Sequence, residues 1–295
     1  MELKIDNLSK NYGTKIAVNN FSVILNKGVH ALLGSNGSGK TTLMRILCDV
    51  LKPTSGSIFV DGTNICVMGE HYREHLGYLP QNFGYYPNFT GWDFMMYLSA
   101  LKGLPKITAR VRSEELLHLV GLYEVRNKKI KTYSGGMRQR IGIAQSLINN
   151  PSILILDEPT VGLDPKERAK FRNIISNLSG DKIVLLSTHI VSDIEYIADD
   201  ILIMKNGGLV LKGNPDEICR KIDGLVWCGT VSQSEADKLI GKLIVSNLRH
   251  SDNKVEMRIV SEEKPFEGAV QTKPCLEDLY LHYFKEESIN ELNEI

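Results

Sequence analysis

The sequence predicts an α/β fold, with a mixed β-sheet flanked by helices and a small C-terminal α+β domain. Continuous apolar runs, "ILIL" at 153–156 and "IVLL" at 183–186, are typical of central strands that are buried on both faces. A glycine-rich stretch at 34–41 leaves one predicted strand and enters a predicted helix. The 295 residues are enough for one large domain or about two ordinary ones.

The N-terminal part of the chain contains three strand-like segments before the glycine-rich stretch. Their apolar and polar patterns predict strands in "LKIDNLSKNY", "AVNNFSVILNKG" and "VHALLGS". The apolar spacing of "TTLMRILCDVLK" predicts a helix that ends before Pro53, and "GSIFVDG" predicts a short strand. From about Gln81 to Asn150 the pattern is mostly helical, so we expect a helical subdomain over 82–150.

Strand patterns return in "SILILDEP" and "KIVLLSTH", with a helix between them. That helix, in "PKERAKFRNIISNLSG", has Asp164 placed to cap it and Pro165 at its first position. A hairpin is predicted around Asn206-Gly207-Gly208, because these residue types tolerate the positive φ angles of a tight turn. We therefore assign residues 1–215 to a first domain that contains the mixed sheet.

The pattern changes after Gly213, and residues 216–295 are expected to form a small accessory α+β domain. "GLVWCGTV" is strand-like, and Ser232 with Glu235 gives a capping-box pattern at the start of a helix. "LIVSNLRHSDNKVEMRIVS" predicts a hairpin that turns near Asp252-Asn253. "CLEDLYLHYFKEE" predicts a helix, which an acidic tail follows.

Composition limits the kinds of partner and compartment. Lysine plus arginine and aspartate plus glutamate number 35 each, so no net field favours nucleic acid. The five cysteines are scattered without CxxC spacing, which is typical of free thiols in a reducing cytosol. No run of about 18 apolar residues is present, so we expect another chain to supply any membrane-spanning part.

The glycine-rich stretch fits the pattern G-x-x-x-x-G-K-[ST] of a phosphate-binding loop. Glycines let successive backbone N–H groups converge on one anion, and the helix that follows adds its positive end. Lys40 is expected to reach the β- and γ-phosphates, and the Thr41 hydroxyl to bind Mg²⁺. The alternative is a glycine-rich turn that matches by accident, but the strand before it and the helix after it argue against chance. The nucleotide-binding residues predicted here are Gly34, Ser35, Asn36, Gly37, Ser38, Gly39, Lys40, Thr41 and Thr42.

A second group of candidate residues ends the strand in "SILILDEP". Asp157 fits a metal-side role opposite the phosphates, and Glu158 fits a general base that orients or deprotonates water. Two solvated loop carboxylates are the plain alternative. A guanine-nucleotide enzyme would carry N-K-x-D, whereas the nearest candidate, Asn127-Lys128-Lys129-Ile130, ends in isoleucine. Guanine specificity is therefore not expected.

A longer stretch narrows the class. "TYSGGMRQRIGIAQSLINNPSILILDEPTVGLDP", residues 132–165, resembles the ATP-binding cassette (ABC) family, and the resemblance covers about 1–215. Taken alone, a histidine at a strand end, a tyrosine between strands or a glutamine in a loop has an ordinary structural explanation. Together and in this order they resemble the family's set: the adenine-stacking aromatic Tyr12, the Q-loop Gln81, the signature Ser134-Gly135-Gly136, the D-loop Asp164 and the switch His189.

The resemblance implies an ATPase that uses ATP and Mg²⁺, with Gln81 near the metal and the attacking water. It also implies two cassettes, in a homodimer or with a related chain, packed so that Ser134 of one meets the γ-phosphate held by Lys40 of the other. A separate membrane-spanning permease subunit would be the further partner, with this chain peripheral at the cytoplasmic face of the membrane. The sequence "YSGGMRQR" resembles that of separate-subunit exporters. Met137 departs from the glutamine that often follows the signature glycines.

Two functions remain open from the sequence. One is a transport-coupled ATPase, for which the aromatic stretch "NFGYYPNFTGWDFMMYLSALKG", residues 82–103, would receive a short helix of the permease. Simple core packing of the helical subdomain is the plainer explanation of that stretch. The other function is a soluble regulatory or nucleic-acid-associated ABC ATPase. A single phosphate loop, a short helical insert and zero formal charge argue against the second, so no nucleic acid is expected as a partner.

Overall fold

The computed structural model of the protein describes residues 1–251 and 254–284. The predicted turn at Asp252-Asn253 and the acidic tail after 284 lie outside the described residues. The chain divides into two compact units, Met1–Lys212 and Gly213–Ile295. The change of sequence pattern predicts this boundary after residue 215. Within the described ranges, no helix is both long enough and apolar enough to cross a bilayer.

The first unit contains two β-sheets, the helices that accompany them and a helical insert. Its strands are β1 (Leu3–Tyr12), β2 (Lys15–Leu25), β3 (Gly28–Leu33), β4 (Ser55–Val60), β5 (Thr63–Asn64), β6 (Leu76–Leu79), β7 (Ile153–Asp157), β8 (Ile183–Thr188), β9 (Asp200–Lys205) and β10 (Gly208–Gly213). Its helices are α1 (Lys40–Leu47), α2 (Ile65–Met68), α3 (Glu70–Glu74), α4 (Gly91–Leu101), α5 (Lys106–Leu119), α6 (Gly135–Ser146) and α7 (Pro165–Leu178).

The predicted mixed sheet is confirmed, and it has the order β10-β9-β3-β8-β7-β6. The strands from β9 to β6 are parallel to their neighbours. The hairpin between β9 and β10 turns through Asn206 and Gly207, with φ angles of 50° and 81°. Both central residues of this two-residue turn therefore have the positive φ that its residue types suit.

Two features of the sheets differ from the sequence analysis. The N-terminal strands form a separate sheet with the order β2-β1-β4-β5, because β1 pairs antiparallel with both β2 and β4. The edge strand β6 lies just before Gln81 and was not predicted, since four residues give too short a pattern. A Cβ on Gly77 of this strand would lie 2.3 Å from the Ser146 carbonyl oxygen, so glycine is required there.

Helix α1, which follows the glycine-rich loop, shares one apolar core with both sheets. Leu43 and Met44 of α1 belong to the same buried cluster as Phe21 of β2, Ile155 of β7 and Leu185 of β8. The start of α7 agrees with the sequence, since the Asp164 side chain accepts a hydrogen bond from Glu167 N and Pro165 is the first helical residue. The helical insert consists of α4, α5 and α6.

The second unit is an α+β structure, in which one sheet has the order β12-β13-β11-β14. Arg258 donates hydrogen bonds to both carboxylate oxygens of the buried Asp278, at 2.7–3.1 Å, which joins the sheet to the last helix. Burial alone would raise the pKa of Asp278, but hydrogen bonds from Arg258, Cys275 and Ser246 lower it. The elements are α8 (Pro215–Cys219), β11 (Val226–Ser232), α9 (Gln233–Ile240), β12 (Ile244–Ser251), β13 (Lys254–Val260), β14 (Val270–Gln271) and α10 (Leu276–Tyr283).

The shared core predicts how two residues of β2 differ in their effect on stability. Phe21 is fully buried against α1 and the sheets, whereas Ile24 on the same strand is exposed. Phe21→Ala should lower the free energy of unfolding by about 3–5 kcal/mol, because it removes buried apolar surface and leaves a cavity. Ile24→Ala should change it by less than about 0.5 kcal/mol. Urea unfolding followed by circular dichroism measures both, and equal losses would contradict the shared core.

Candidate nucleotide site

The loop between β3 and α1 can be built only with glycine at its tight positions. A Cβ on Gly39, whose φ is 106°, would lie 2.1 Å from the Ala17 carbonyl oxygen. A Cβ on Gly34 would lie 2.5 Å from Ser38 Oγ. Lys40 is buried, and its Nζ donates hydrogen bonds to the Gly34 and Ser35 carbonyl oxygens at 2.6 and 2.9 Å. The loop carbonyl groups therefore hold the ammonium group of the loop's own lysine.

A cleft of about 430 Å³ lies beside this loop. The outer strands contribute Tyr12, Lys15 and Ala17 to its lining, and Tyr12 and Lys15 face each other as partners between β1 and β2. Lys15 was missed by the sequence analysis, although a cation three residues after the candidate aromatic is a usable signal. The predicted residues that line the cleft are Tyr12, Asn36, Gly37, Gly39, Lys40, Thr41, Thr42, Gln81 and Glu158.

The two predicted carboxylates occupy the end of β7. Asp157 is 1% exposed, and its Oδ1 accepts a hydrogen bond from Ser187 Oγ at 2.7 Å. Its Oδ2 has no hydrogen-bond partner among residues 1–251 and 254–284. The backbone N–H of Glu158 donates to the same Ser187 hydroxyl at 2.8 Å. Ser187 was not predicted as a site residue, because only the pairing of β7 with β8 brings it opposite Asp157.

Glu158 is the point at which three predicted residues meet. Gln81 Nε2 donates to its Oε2 at 3.0 Å, and His189 Nδ1 lies 3.4 Å from its Oε1. The residue has a φ of 48°, in the left-handed region that non-glycine residues rarely adopt. Its carboxylate is thus held from two sides at the edge of the cleft. This arrangement suits a base that acts on a water molecule within the cleft.

The predicted signature forms the beginning of α6, away from the cleft lining. Ser134 and Gly135 are exposed, and Ser134 Oγ accepts a hydrogen bond from Met137 N at 3.1 Å. This cap uses the backbone of Met137, so methionine is compatible with it. None of Ser134, Gly135, Gly136 and Asp164 lines the cleft of the described chain.

The signature and the D-loop aspartate are nevertheless held close to one another through α6 and α7. A Cβ on Gly136 would lie 2.8 Å from Glu167 Cγ on α7, so only glycine fits there without a shift. Arg140 Nε lies 2.8 Å from Glu167 Oε2, and both side chains are largely buried. Asp164 caps the same helix through Glu167 N. The structure therefore gathers the predicted residues into two groups: those around the cleft and those at the adjoining ends of α6 and α7.

A groove of about 510 Å³ separates the segment after Gln81 from α4. Tyr86, Phe89 and Tyr97 form a cluster of rings with centroids 4.8–5.8 Å apart. Burial raises the pKa of Tyr78, at the base of the groove, to about 12. We call this surface the aromatic groove; its lining is Tyr78, Pro80, Phe83, Gly84, Tyr85, Tyr86, Phe94, Tyr97, Leu98, Leu101 and Gln145.

Comparisons with known proteins agree with these motifs. Residues 18–161 match the family model of the ABC transporter. The ABC transporter ATP-binding protein YxlF of Bacillus subtilis is 41% identical over 217 residues, which cover 73% of this chain and 72% of YxlF. Nod factor export ATP-binding protein I of Ralstonia nicotianae is 34% identical over 218 residues, which cover 73% of this chain and 68% of that protein.

Solved structures extend the agreement to the fold. The ATP-binding cassette MJ0796, in a dimeric post-hydrolysis state bound to ADP and Pi, gives a TM-score of 0.65 at 26% identity. The match covers 72% of this chain and 98% of MJ0796. The predicted phosphate loop, paired carboxylates and signature helix all lie within residues 18–161, the range of the family match. The chain belongs to the ABC transporter family, as an ATP-binding subunit with ATPase activity.

Proposed function

We propose that two copies of this cassette, or one copy and a related cassette, close head to tail around ATP. The observation that carries this proposal is the separation of two anion-binding helix ends within one chain. The N-terminus of α1 faces the cleft, whereas Ser134 and Gly135 at the N-terminus of α6 are exposed and do not line it. Ser134 of one copy then completes the phosphate site around Lys40 of the other, and a two-fold arrangement builds two such sites.

Within each site, the residues around the cleft have separate roles. Lys40 and the loop amides hold the β- and γ-phosphates, and Tyr12, which is 48% exposed beside the cleft, stacks on the adenine. Glu158 accepts the proton of the attacking water, while Gln81 and His189 fix its carboxylate. Asp164, the N-cap of α7, would approach each site from the other copy.

Mg²⁺ fits the chemistry of the residues at the end of β7 and the start of α1. Asp157 Oδ2 is a buried carboxylate oxygen without a hydrogen-bond partner among the described residues, and Thr41 lines the cleft. Carboxylate and hydroxyl oxygens are suitable Mg²⁺ ligands, so Asp157 and Thr41 would hold the ion, with Gln81 nearby. When bound, Mg²⁺ offsets the charge of the phosphates.

We further propose that a membrane-spanning permease places a short helix in the aromatic groove. Exposed aromatic and leucine side chains form such helix-binding surfaces, and Tyr86, Tyr97 and Leu101 are all exposed there. The chain would then be peripheral at the cytoplasmic face of the membrane. Export is the direction we favour, because the similarity includes a protein named for Nod factor export. The observations give no support to a regulatory or nucleic-acid-associated ATPase.

The role of Glu158 gives a direct test. Glu158→Gln keeps the shape of the side chain and removes the base, so ATP turnover should fall by about 10²–10⁴-fold while ATP binding persists. Phosphate release and calorimetric titration measure the two properties separately. Turnover at the wild-type rate would exclude Glu158 as the base.

The role of Lys40 predicts a loss of nucleotide affinity. Lys40→Ala removes a charge-assisted contact to phosphate as well as the bonds to Gly34 and Ser35, so ATP should bind at least about tenfold more weakly. Lys15→Ala is the matched control, because Lys15 lines the same cleft but is exposed and should matter less than about threefold. Calorimetry that finds unchanged affinity for Lys40→Ala would contradict the phosphate cradle.

Head-to-tail closure predicts an ATP-dependent dimer. Light scattering of the Glu158→Gln protein should show a dimer with ATP and a monomer with ADP, because hydrolysis no longer removes the contact. Adding Ser134→Arg, which places a bulky charge on the exposed signature, should abolish the dimer. Ser176→Arg, at an exposed serine of α7, should not. A persistent monomer with ATP would leave a related cassette as the required partner and refute the homodimer.

A further inference from the structure

Arg138 lies on the first turn of α6, four residues after the signature serine. Its Nη1 donates a hydrogen bond to the Tyr85 hydroxyl at 2.8 Å. Its Nε is buried and has no hydrogen-bond partner within the described part of the chain. The Tyr85 hydroxyl is thus the hydrogen-bond acceptor that the structure gives this partly buried guanidinium within the described residues. The side chain holds the start of α6 against one particular tyrosine.

Tyr85 belongs to the short segment that Gln81 begins. Gln81 bonds to Glu158 at one end of this segment, and Tyr85 bonds to Arg138 four residues later. Five residues of chain therefore connect the proposed general base to α6, whose N-cap is Ser134. Each end of this segment is therefore fixed by a side-chain hydrogen bond, one to the proposed base and one to α6.

Packing reinforces the same connection one turn further along α6. A Cβ on Gly142 would lie 2.9 Å from the Phe83 ring, so α6 approaches the segment closely only because residue 142 is glycine. The Phe83 and Tyr85 rings lie 5.9 Å apart, and both line the aromatic groove. The lining of the groove therefore includes two residues that lie against α6.

We propose that the Tyr85–Arg138 hydrogen bond is a positioning contact, which sets the orientation of the signature serine relative to the Gln81 segment. Neither residue lines the nucleotide cleft, so the contact acts through the placement of Ser134 and not on ATP held by one copy. The inference rests on the proposed head-to-tail closure for its effect on function. It adds a route by which occupancy of the aromatic groove reaches the signature.

Dimer formation by the Glu158→Gln protein measures the effect. Tyr85→Phe removes the acceptor oxygen and Arg138→Met removes the donor. Each should raise the ATP concentration for half-maximal dimer by about five- to tenfold. The double variant should resemble the single ones, since both remove the same bond. The ATP affinity of the monomer, measured at low protein concentration, should stay unchanged. A variant that only destabilised the fold would bind ATP more weakly as a monomer too.

Tyr86→Phe is the matched control. The Tyr86 hydroxyl lies in the same groove but faces Tyr97 at 3.5 Å, not α6. The Tyr86→Phe variant should therefore dimerise at the same ATP concentration as the parent Glu158→Gln protein. The proposal is overturned if Tyr85→Phe behaves as Tyr86→Phe does, if the two single effects add fully in the double variant, or if monomer ATP affinity falls in parallel.

Amide hydrogen exchange gives a second measurement that does not need a dimer. The Met137 and Arg138 amides close the first turn of α6 on Ser134. Tyr85→Phe should speed their exchange several-fold, and Tyr86→Phe should not. Equal exchange in both variants would overturn the positioning role. If the parent Glu158→Gln protein fails to dimerise with ATP, the proposed homodimer fails, while exchange still decides whether Tyr85 holds the helix.

Discussion

Parallel hydrogen bonding among β3, β8 and β7 brings three chain segments to one edge of the sheet. Leu33 pairs with Thr188, and Asp157 pairs with Ser187, so the next residues along each strand emerge side by side. These residues begin the predicted phosphate loop and include Glu158 and His189. Because the register of buried apolar strands is strongly specified, the chemistry at this edge is fixed by the core beneath it.

Two residues at the same edge have features that cost free energy: a buried oxygen left unpaired by the described residues, and a rare backbone conformation. Asp157 is buried with one oxygen unpaired among the described residues, and Glu158 has a left-handed φ. An unpaired buried polar atom and a rare backbone conformation each cost on the order of 1–3 kcal/mol. The surrounding strands must overcome these costs. A cation beside Asp157 would supply the missing partner, which agrees with the proposed Mg²⁺ position.

Local signals in the sequence predict correctly those structural features that depend on residues close together in the chain. The cap of α7 by Asp164, the turn at Asn206-Gly207 and the loop around Lys40 all depend on contacts within a few residues. Non-local pairing was beyond such signals. Ser187 becomes a site residue only through the register of β8 with β7, and β6 is a strand only because it lies beside β7. The Tyr85–Arg138 bond joins residues 53 apart, and neither residue type marks it in advance.

Helix α6 contacts, among other parts of the first unit, helix α7 and the segment of residues 81–85. Gly136 and Arg140 tie α6 to Glu167 on α7, so Ser134 and Asp164 belong to one stiff piece of structure. Residues 81–85 reach α6 through the Arg138–Tyr85 hydrogen bond and the close approach of Phe83 to Gly142. Strand β6, just before them, contacts the far end of α6, where Gln145 donates a hydrogen bond to the Tyr78 carbonyl oxygen at 3.0 Å. The β6 contacts hold the later turns of α6, so the Tyr85–Arg138 contact bears on the orientation of its first turn. In the proposed closure, the α6–α7 contacts keep Ser134 and Asp164 together as they approach the other copy, and occupancy of the aromatic groove would reach them through Tyr85.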